Sequence, residues 1–351
     1  MGRLMNSYFY GKAGKGDFKK SDLPTNRWQL FWEMLRIRIS ALIRMNLMTV
    51  IAFLPTIVVL VYNISNILMV SNTLNEYRLT GQVSSYNSET QETVYVEASD
   101  ELKALAAEEE TSGSAWMMSA LAHMCVLLIP CILITGPVQA GMAYVTRNWA
   151  RDEHAFIWSD FKDAVKGNWK QGLGVSAISS VLPLIVVECW QFYGNLAATR
   201  SFLLFTVLQM VIVVLAAIWF LSLAISYPMM VGYQVTFRQL IKNSVILALA
   251  RLPQTLGIRL ATLIPAGIFV AAMLLFNLNW MTGMLLICAW YFLLGNSLTR
   301  FVHAAYTNGL FEKYLNPRIP GARTNIGLAD KSDEEDEDDE SETGEGVSDP
   351  E

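Results

Sequence analysis

Apolar residues in this chain come in long unbroken runs, at about 47–70, 116–146, 172–192, 202–232, 255–276 and 280–302. Each reaches bilayer length, about 20 residues. In lipid, a run of that kind satisfies its own backbone polar groups only as a helix. The pattern predicts an all-α fold, a polytopic membrane helical bundle of six transmembrane helices. The second and fourth runs are longer than a flat bilayer needs and are expected to tilt or to extend beyond it.

Between the runs the period is amphipathic. From Asn26, with Gln29 placed for a capping box, Trp28, Phe31, Trp32, Leu35, Ile39, Leu42 and Ile43 recur at helical spacing. Arg36, Arg38 and Arg44 ride beside that stripe. The expectation is a helix in the membrane interface up to Asn46; the alternative is a helix packed on the bundle. A second connector follows Thr146-Arg147, with Ser159 as N-cap and Asp160 and Asp163 in the first turn. Ile157, Phe161, Val165 and Trp169 fall every four residues, and the segment is expected to hinge at Gly167 into the third span.

The spans also suggest repeated helical hairpins with amphipathic interfacial connectors. Aligning GPVQAGMAYVTR with YPMMVGYQVTFR pairs Pro137 with Pro228, Gly141 with Gly232 and Arg147 with Arg238. Closing the circle through the N-terminal helix makes a third copy and a pseudo-threefold arrangement. Pro55, Pro183 and Pro265 each follow a Leu or Ile in a span that runs outward, and are expected to kink it. Ser179, Ser180 and Thr262 lie near enough to take up the freed carbonyls.

Composition agrees with the membrane reading, since only 16% of residues are charged against roughly 25% in a soluble domain. Lys and Arg fall 23 to 3 on the side shared by both termini. The positive-inside rule then places both termini in the cytoplasm. No cleavable secretory signal is expected before the first span. The expected parts are a flexible basic leader (1–25), a membrane domain (26–315) with an external acidic insertion (71–115), and a disordered acidic tail (316–351). Within that tail, residues 330–351 hold 13 acids and one Lys, and such a run repels itself. Cys125, Cys131, Cys189 and Cys288 lack metal or redox spacing and read as packing residues.

Candidate chemistry is sparse. His123 and Glu188, about 10 Å and about 6 Å below the outer surface at helical rise, are placed to form an intramembrane polar pair. Headgroup contact for Glu188 and helix packing for His123 are the alternatives. His303, beside Arg300, reads as interfacial. There is no nucleophile with base and orienter, so a non-enzymatic protein without cofactor or metal is expected. The basic residues follow the topology, so the lipid bilayer is the expected partner and nucleic acid is not.

The order of parts resembles the YesL family of bacterial integral membrane proteins, whose domain has no assigned function. The resemblance rests on FYGKAGKGDF near the N-terminus, IRMNLMTVIAFLPT entering the first span, and TGPVQAGMAYVTRNWARDEHAFIWSDFKDAVKGNWKQGL. It carries over to Asn46, Pro55, Thr56, Gly136, Pro137, Tyr144, Arg147, Arg151, Asp152, Glu153, Asp160, Phe161, Lys166, Asn168, Lys170 and Gln171. It implies a bacterial cytoplasmic membrane and a link to carbohydrate uptake or its regulation. The acidic insertion and tail depart from it. Two functions follow as expectations. The first is an accessory or scaffold whose connector residues, from Arg147 to Gln171, dock a carbohydrate transporter or sensor protein. The alternative is a small transporter or channel lined by Pro-kinked helices.

Overall fold

A computed structural model of the chain describes residues 24–87, 92–112, 115–276, 279–322 and 324–328. Nearly all of the leader and most of the acidic tail lie outside them. In chain order the elements are α1 (Arg27–Thr80), a hairpin of β1 (Gln82–Asn87) and β2 (Glu92–Glu97), and α2 (Asp100–Ser112). Then come α3 (Ala115–Trp149), α4 (Ser159–Thr199), α5 (Phe202–Gly232), α6 (Phe237–Ala250) and α7 (Leu252–Leu275). The last span is α8 (Trp280–Trp290), a π-turn (Tyr291–Gly295) and α9 (Asn296–Tyr314) run together. Six helical stretches are long and apolar enough to cross a membrane, so the chain is a multi-pass helical bundle. The insertion holds an antiparallel hairpin that pairs Gln82 with Glu97, and then α2.

Asn26 caps α1, its side chain accepting from Gln29 N–H at 2.9 Å. The Gln29 side-chain Oε1 reaches back to accept from Thr25 N–H. From that start α1 runs 54 residues without a break, about 80 Å at 1.5 Å per residue. The expected interfacial helix is therefore corrected: a helix lying in the membrane plane must bend sharply before it enters. The N-terminal part of α1 packs on the bundle instead. Leu30, Met34, Leu42 and Met45 are buried with Trp149, Phe161 and Phe301, while Trp28 and Trp32 stay exposed.

The helices α3 and α4 meet at backbone distance. A Cβ on Gly136 would stand 2.3 Å from both the Gly172 carbonyl oxygen and Ser176 Oγ, so only glycine fits this crossing. One turn earlier the same contact resolves a proline defect. Pro137 has no N–H for the Leu133 carbonyl, and Ser176 Oγ on α4 donates to that oxygen at 2.9 Å. Small residues with a hydroxyl at the crossing are how helices associate where lipid removes the hydrophobic drive.

The other prolines leave their helices unbroken. Pro55, Pro183 and Pro265 lie inside α1, α4 and α7, which continue past them. The hydroxyls of Ser179, Ser180 and Thr262 donate to Val175, Ala177 and Arg259, each a carbonyl other than the one its nearby proline frees. The hinge at Gly167 is likewise absent, because α4 is one helix from Ser159 to Thr199. A glycine costs a helix about 1 kcal/mol, too little by itself to break the hydrogen-bond ladder at that point. Ser159 does not cap α4, whose Trp158 N-cap makes no side-chain bond.

The second hairpin diverges from the first. Whereas α3 continues through Arg147 to Trp149, α5 stops at Gly232 and Arg238 falls on the separate helix α6. Thr236 and Gln239 form a full capping box at the start of α6. Pro253 sits in the first turn of α7, where its missing N–H is one of the helix's orphan donors. The sequence alignment of Arg147 with Arg238 thus joins residues in unlike places.

Candidate functional site

The connectors and both ends of the described membrane domain meet at one end of the bundle. Arg27 at the start of α1 pairs with Glu312 near the end of α9. Gln171 Nε2 on α4 donates to the Val235 carbonyl at 2.8 Å, and Asn308 Nδ2 to the Arg147 carbonyl at 3.3 Å. Tyr233 Oη donates to Asn316 Oδ1 at 2.6 Å. Partial burial raises the phenol's pKa above its ordinary value, with Arg147 acting in the opposite direction.

Within this end, the residues that carry the family resemblance mostly build the turn. Asp152 adopts a φ of 56°, a left-handed conformation that Asp tolerates better than most side chains. Its N–H bonds the Trp149 carbonyl and ends α3. Asp160 Oδ2 accepts from Phe156 N–H at 2.8 Å, and Trp149 Nε1 donates to the Ala155 carbonyl. Phe161 is buried over Gly141, where a Cβ would meet its ring at 2.6 Å. Arg151 pairs with Glu153 at 3.6 Å. The Arg147 guanidinium lies across Gly232, and Asn168 Nδ2 donates to Ala164 within its own helix. Exposed on the surface is a stripe of Lys162, Lys166 and Lys170, four residues apart on one face, with the Lys170 ammonium 5.6 Å from the centre of the Trp169 ring.

The His123 and Glu188 side chains are both exposed. No hydrogen bond or ion pair joins them among the described residues. His303, read from sequence as interfacial, is buried at 1% exposure, and both its ring nitrogens are without a partner. It lies on α9, which packs against α1, α3, α5 and α7.

The most unusual chemistry lies where the sequence suggested only loop charge. Arg259, 9% exposed, sits about 10 Å into α7 from Leu252 at helical rise. Its Nη2 donates to the Phe220 carbonyl at 2.6 Å, its guanidinium covers the Phe220 ring at 4.4 Å, and its Nε has no partner. Arg300, from α9, donates to Gln139 Oε1 and covers the Tyr227 ring at 4.4 Å. Its Nη1 is buried without a partner. Both arginines line a cavity of about 210 Å³ together with Gln139, Thr262, Asn296 and Thr299. Among the described residues neither forms an ion pair with a carboxylate.

A π-turn shapes this cavity. In a π-turn the bonds run i to i+5, and the helix ladder slips by a residue. Buried Asn46 on α1 closes the defect. Its Nδ2 donates to the Tyr291 and Phe292 carbonyls at 2.9 and 2.7 Å, and its Oδ1 accepts from Ser297 N–H at 2.9 Å. Tyr291 and Asn296, on either side of the turn, line the cavity. They also line a second, apolar groove of about 390 Å³ between α1 and α8.

Sequence reasoning missed Arg259 and Arg300 because both lie near the basic end of their helices and were counted with its loops. The available signal was an arginine placed inside each of two apolar runs, at 255–276 and 280–302.

A family described as a protein of unknown function, DUF624, matches residues 112–187. That stretch holds the α3–α4 crossing and the turn built by Asp152 and Asp160. No curated protein and no solved structure matches the chain.

Proposed function

We propose that this protein is a non-enzymatic membrane component that works beside a carbohydrate transporter or sensor, with its connector end in the cytoplasm. The carbohydrate element rests on the YesL resemblance. The observation that carries the docking role is the stripe of Lys162, Lys166 and Lys170, left exposed where most neighbouring motif side chains are taken up by internal contacts. Lysines on a rigid helix suit an acidic patch on a partner. Exposed Trp169, just before the apolar run at 172–192, suits the headgroup layer.

Phe161 is buried and the Asn168 amide is bonded within its own helix, so the test uses the lysines. Affinity purification of the tagged full chain from native membranes is expected to bring down transporter or sensor subunits. Reversing the three charges (K162E, K166E, K170E) is expected to reduce that recovery about tenfold, as loss of a few charged contacts does. Undiminished recovery from the triple variant counts against this face, and a protein that purifies alone counts against the role.

A second reading, a small transporter, is favoured by the position of the two cavities beside prolines. Phe53 and Thr56 flank Pro55, and Thr262 and Leu263 precede Pro265. It predicts flux of a small anion or sugar through the purified protein in liposomes. Tight liposomes with no flux of either reject it.

A further inference from the structure

We propose that the arginine cavity and the apolar groove together form one binding site for an anionic membrane lipid, its phosphate between Arg259 and Arg300 and an acyl chain along α1. Charge is the first argument. An arginine has five N–H donors, and the bonds to the Phe220 carbonyl and Gln139 use only part of each fork. Arg259 Nε and Arg300 Nη1 remain buried without partners. Two desolvated cations without an ion pair to a carboxylate among the described residues are a costly arrangement inside a membrane. A phosphate held by both forks removes that cost, and planar guanidinium donors match its oxygens.

Continuity is the second argument. The cavity and the groove share Phe53, Tyr291 and Asn296, so a molecule seated at the arginines has an apolar exit. The groove takes Phe53, Thr56, Ile57, Leu60, Val61 and Ile64 from α1, one face of the helix at three- and four-residue steps. From Phe53 to Ile64 it runs about 16 Å at helical rise. That is close to half of a hydrocarbon core about 30 Å thick, the depth of a single leaflet. Depth is the third argument: the head site lies about 10 Å from the start of α7, at the end of the groove nearer the connectors. A soluble anion uses the cavity and leaves the groove unexplained, whereas a lipid accounts for both.

The test uses the full chain, stripped of lipid in neutral detergent. Phosphatidylglycerol, phosphatidylcholine with the same chains, and inorganic phosphate are added separately. Bound lipid is counted by native mass spectrometry and the unfolding temperature is followed by tryptophan fluorescence. Phosphatidylglycerol is expected to bind at least about tenfold more tightly than phosphatidylcholine, as loss of charge-assisted bonds implies. It should also raise the unfolding temperature by linkage, while inorganic phosphate alone leaves it unchanged. R259Q with R300Q should reduce phosphatidylglycerol to the phosphatidylcholine level. Leu60→Trp, which fills the groove and leaves both arginines, should also weaken it about tenfold and serves if the double variant does not fold. Equal binding of the two lipids overturns the proposal. So does selectivity that survives the arginine changes, or full affinity in the Leu60 variant. Inorganic phosphate that matches the lipid's effect marks a free-anion site and overturns the lipid claim.

Discussion

Replacing Asn46 with Leu is expected to lower stability by about 2–4 kcal/mol, although Leu is close in volume and suits a membrane. The change strands the Phe292 carbonyl and the Ser297 N–H, each now bonded to the Asn46 side chain, and leaves the Tyr291 carbonyl with only the longer bond from Asn296 Nδ2 at 3.4 Å. Interhelical hydrogen bonds in membranes average about 0.6 kcal/mol and reach about 1.7, and a stranded buried group costs about 1–3. Two stranded groups at a fully buried position, at about 1–2 kcal/mol each in the lower part of that span, give the range stated. Asn63→Leu is the matched control. Its Nδ2 donates only to Val59, one turn back in its own helix, so its loss should cost less than about 1 kcal/mol. Thermal unfolding of both variants in the same detergent decides the matter; equal effects would remove the special role given to the π-turn. Because Tyr291 and Asn296 line the cavity and the groove, the Asn46 variant should also lose lipid selectivity while the Asn63 variant keeps it.

Gly136→Val is expected to cost about 3 kcal/mol, the upper part of the overpacking range. The added Cβ stands 2.3 Å from a backbone oxygen on α4, and backbone does not move aside as a flexible side chain does. Parting the helices also removes the Ser176 bond to Leu133, leaving the carbonyl freed by Pro137 unpaired. At Gly167, by contrast, an added Cβ meets nothing within 4 Å. Gly167→Ala should stabilise α4 by roughly 0.5–1 kcal/mol through lower backbone entropy cost. If unfolding proves irreversible, half-lives at fixed temperature rank the same variants. A Gly136 variant as durable as the parent would mean that α3 and α4 do not cross where Gly136 faces Gly172.

Much of the architecture is legible in hydropathy because membrane insertion is a local test. A run such as 202–232 is apolar whatever surrounds it, and α5 occupies that run. The Asn26 cap is legible for the same reason, since donor and acceptor lie three residues apart. Continuity of helices is less so. The amphipathic segment before Asn46 and the connector before Gly172 carry the pattern of interfacial helices. Whether a helix bends at the interface depends on what its apolar stripe finds to cover. For α1 that is Trp149, Phe161 and Phe301, all more than 100 positions away in sequence.

The candidate sites separate along the same line. Motif residues such as Asp152 and Asp160 stand out in the sequence, and they prove to bond backbone groups within four residues. Arg259 and Arg300 do not stand out, because an arginine near the basic end of a helix looks like loop charge until the depth of its neighbours is known.

By itself, then, the sequence determined that six apolar helices form a membrane bundle with basic connectors, since bilayer length and backbone self-pairing act within each segment. Only the tertiary structure decided that Asn46 closes a π-turn 245 positions away, that Gly136 meets Gly172, and that two arginines share one cavity. Those outcomes depend on which distant helix supplies a donor, a carbonyl or an empty space, and no local pattern carries that information.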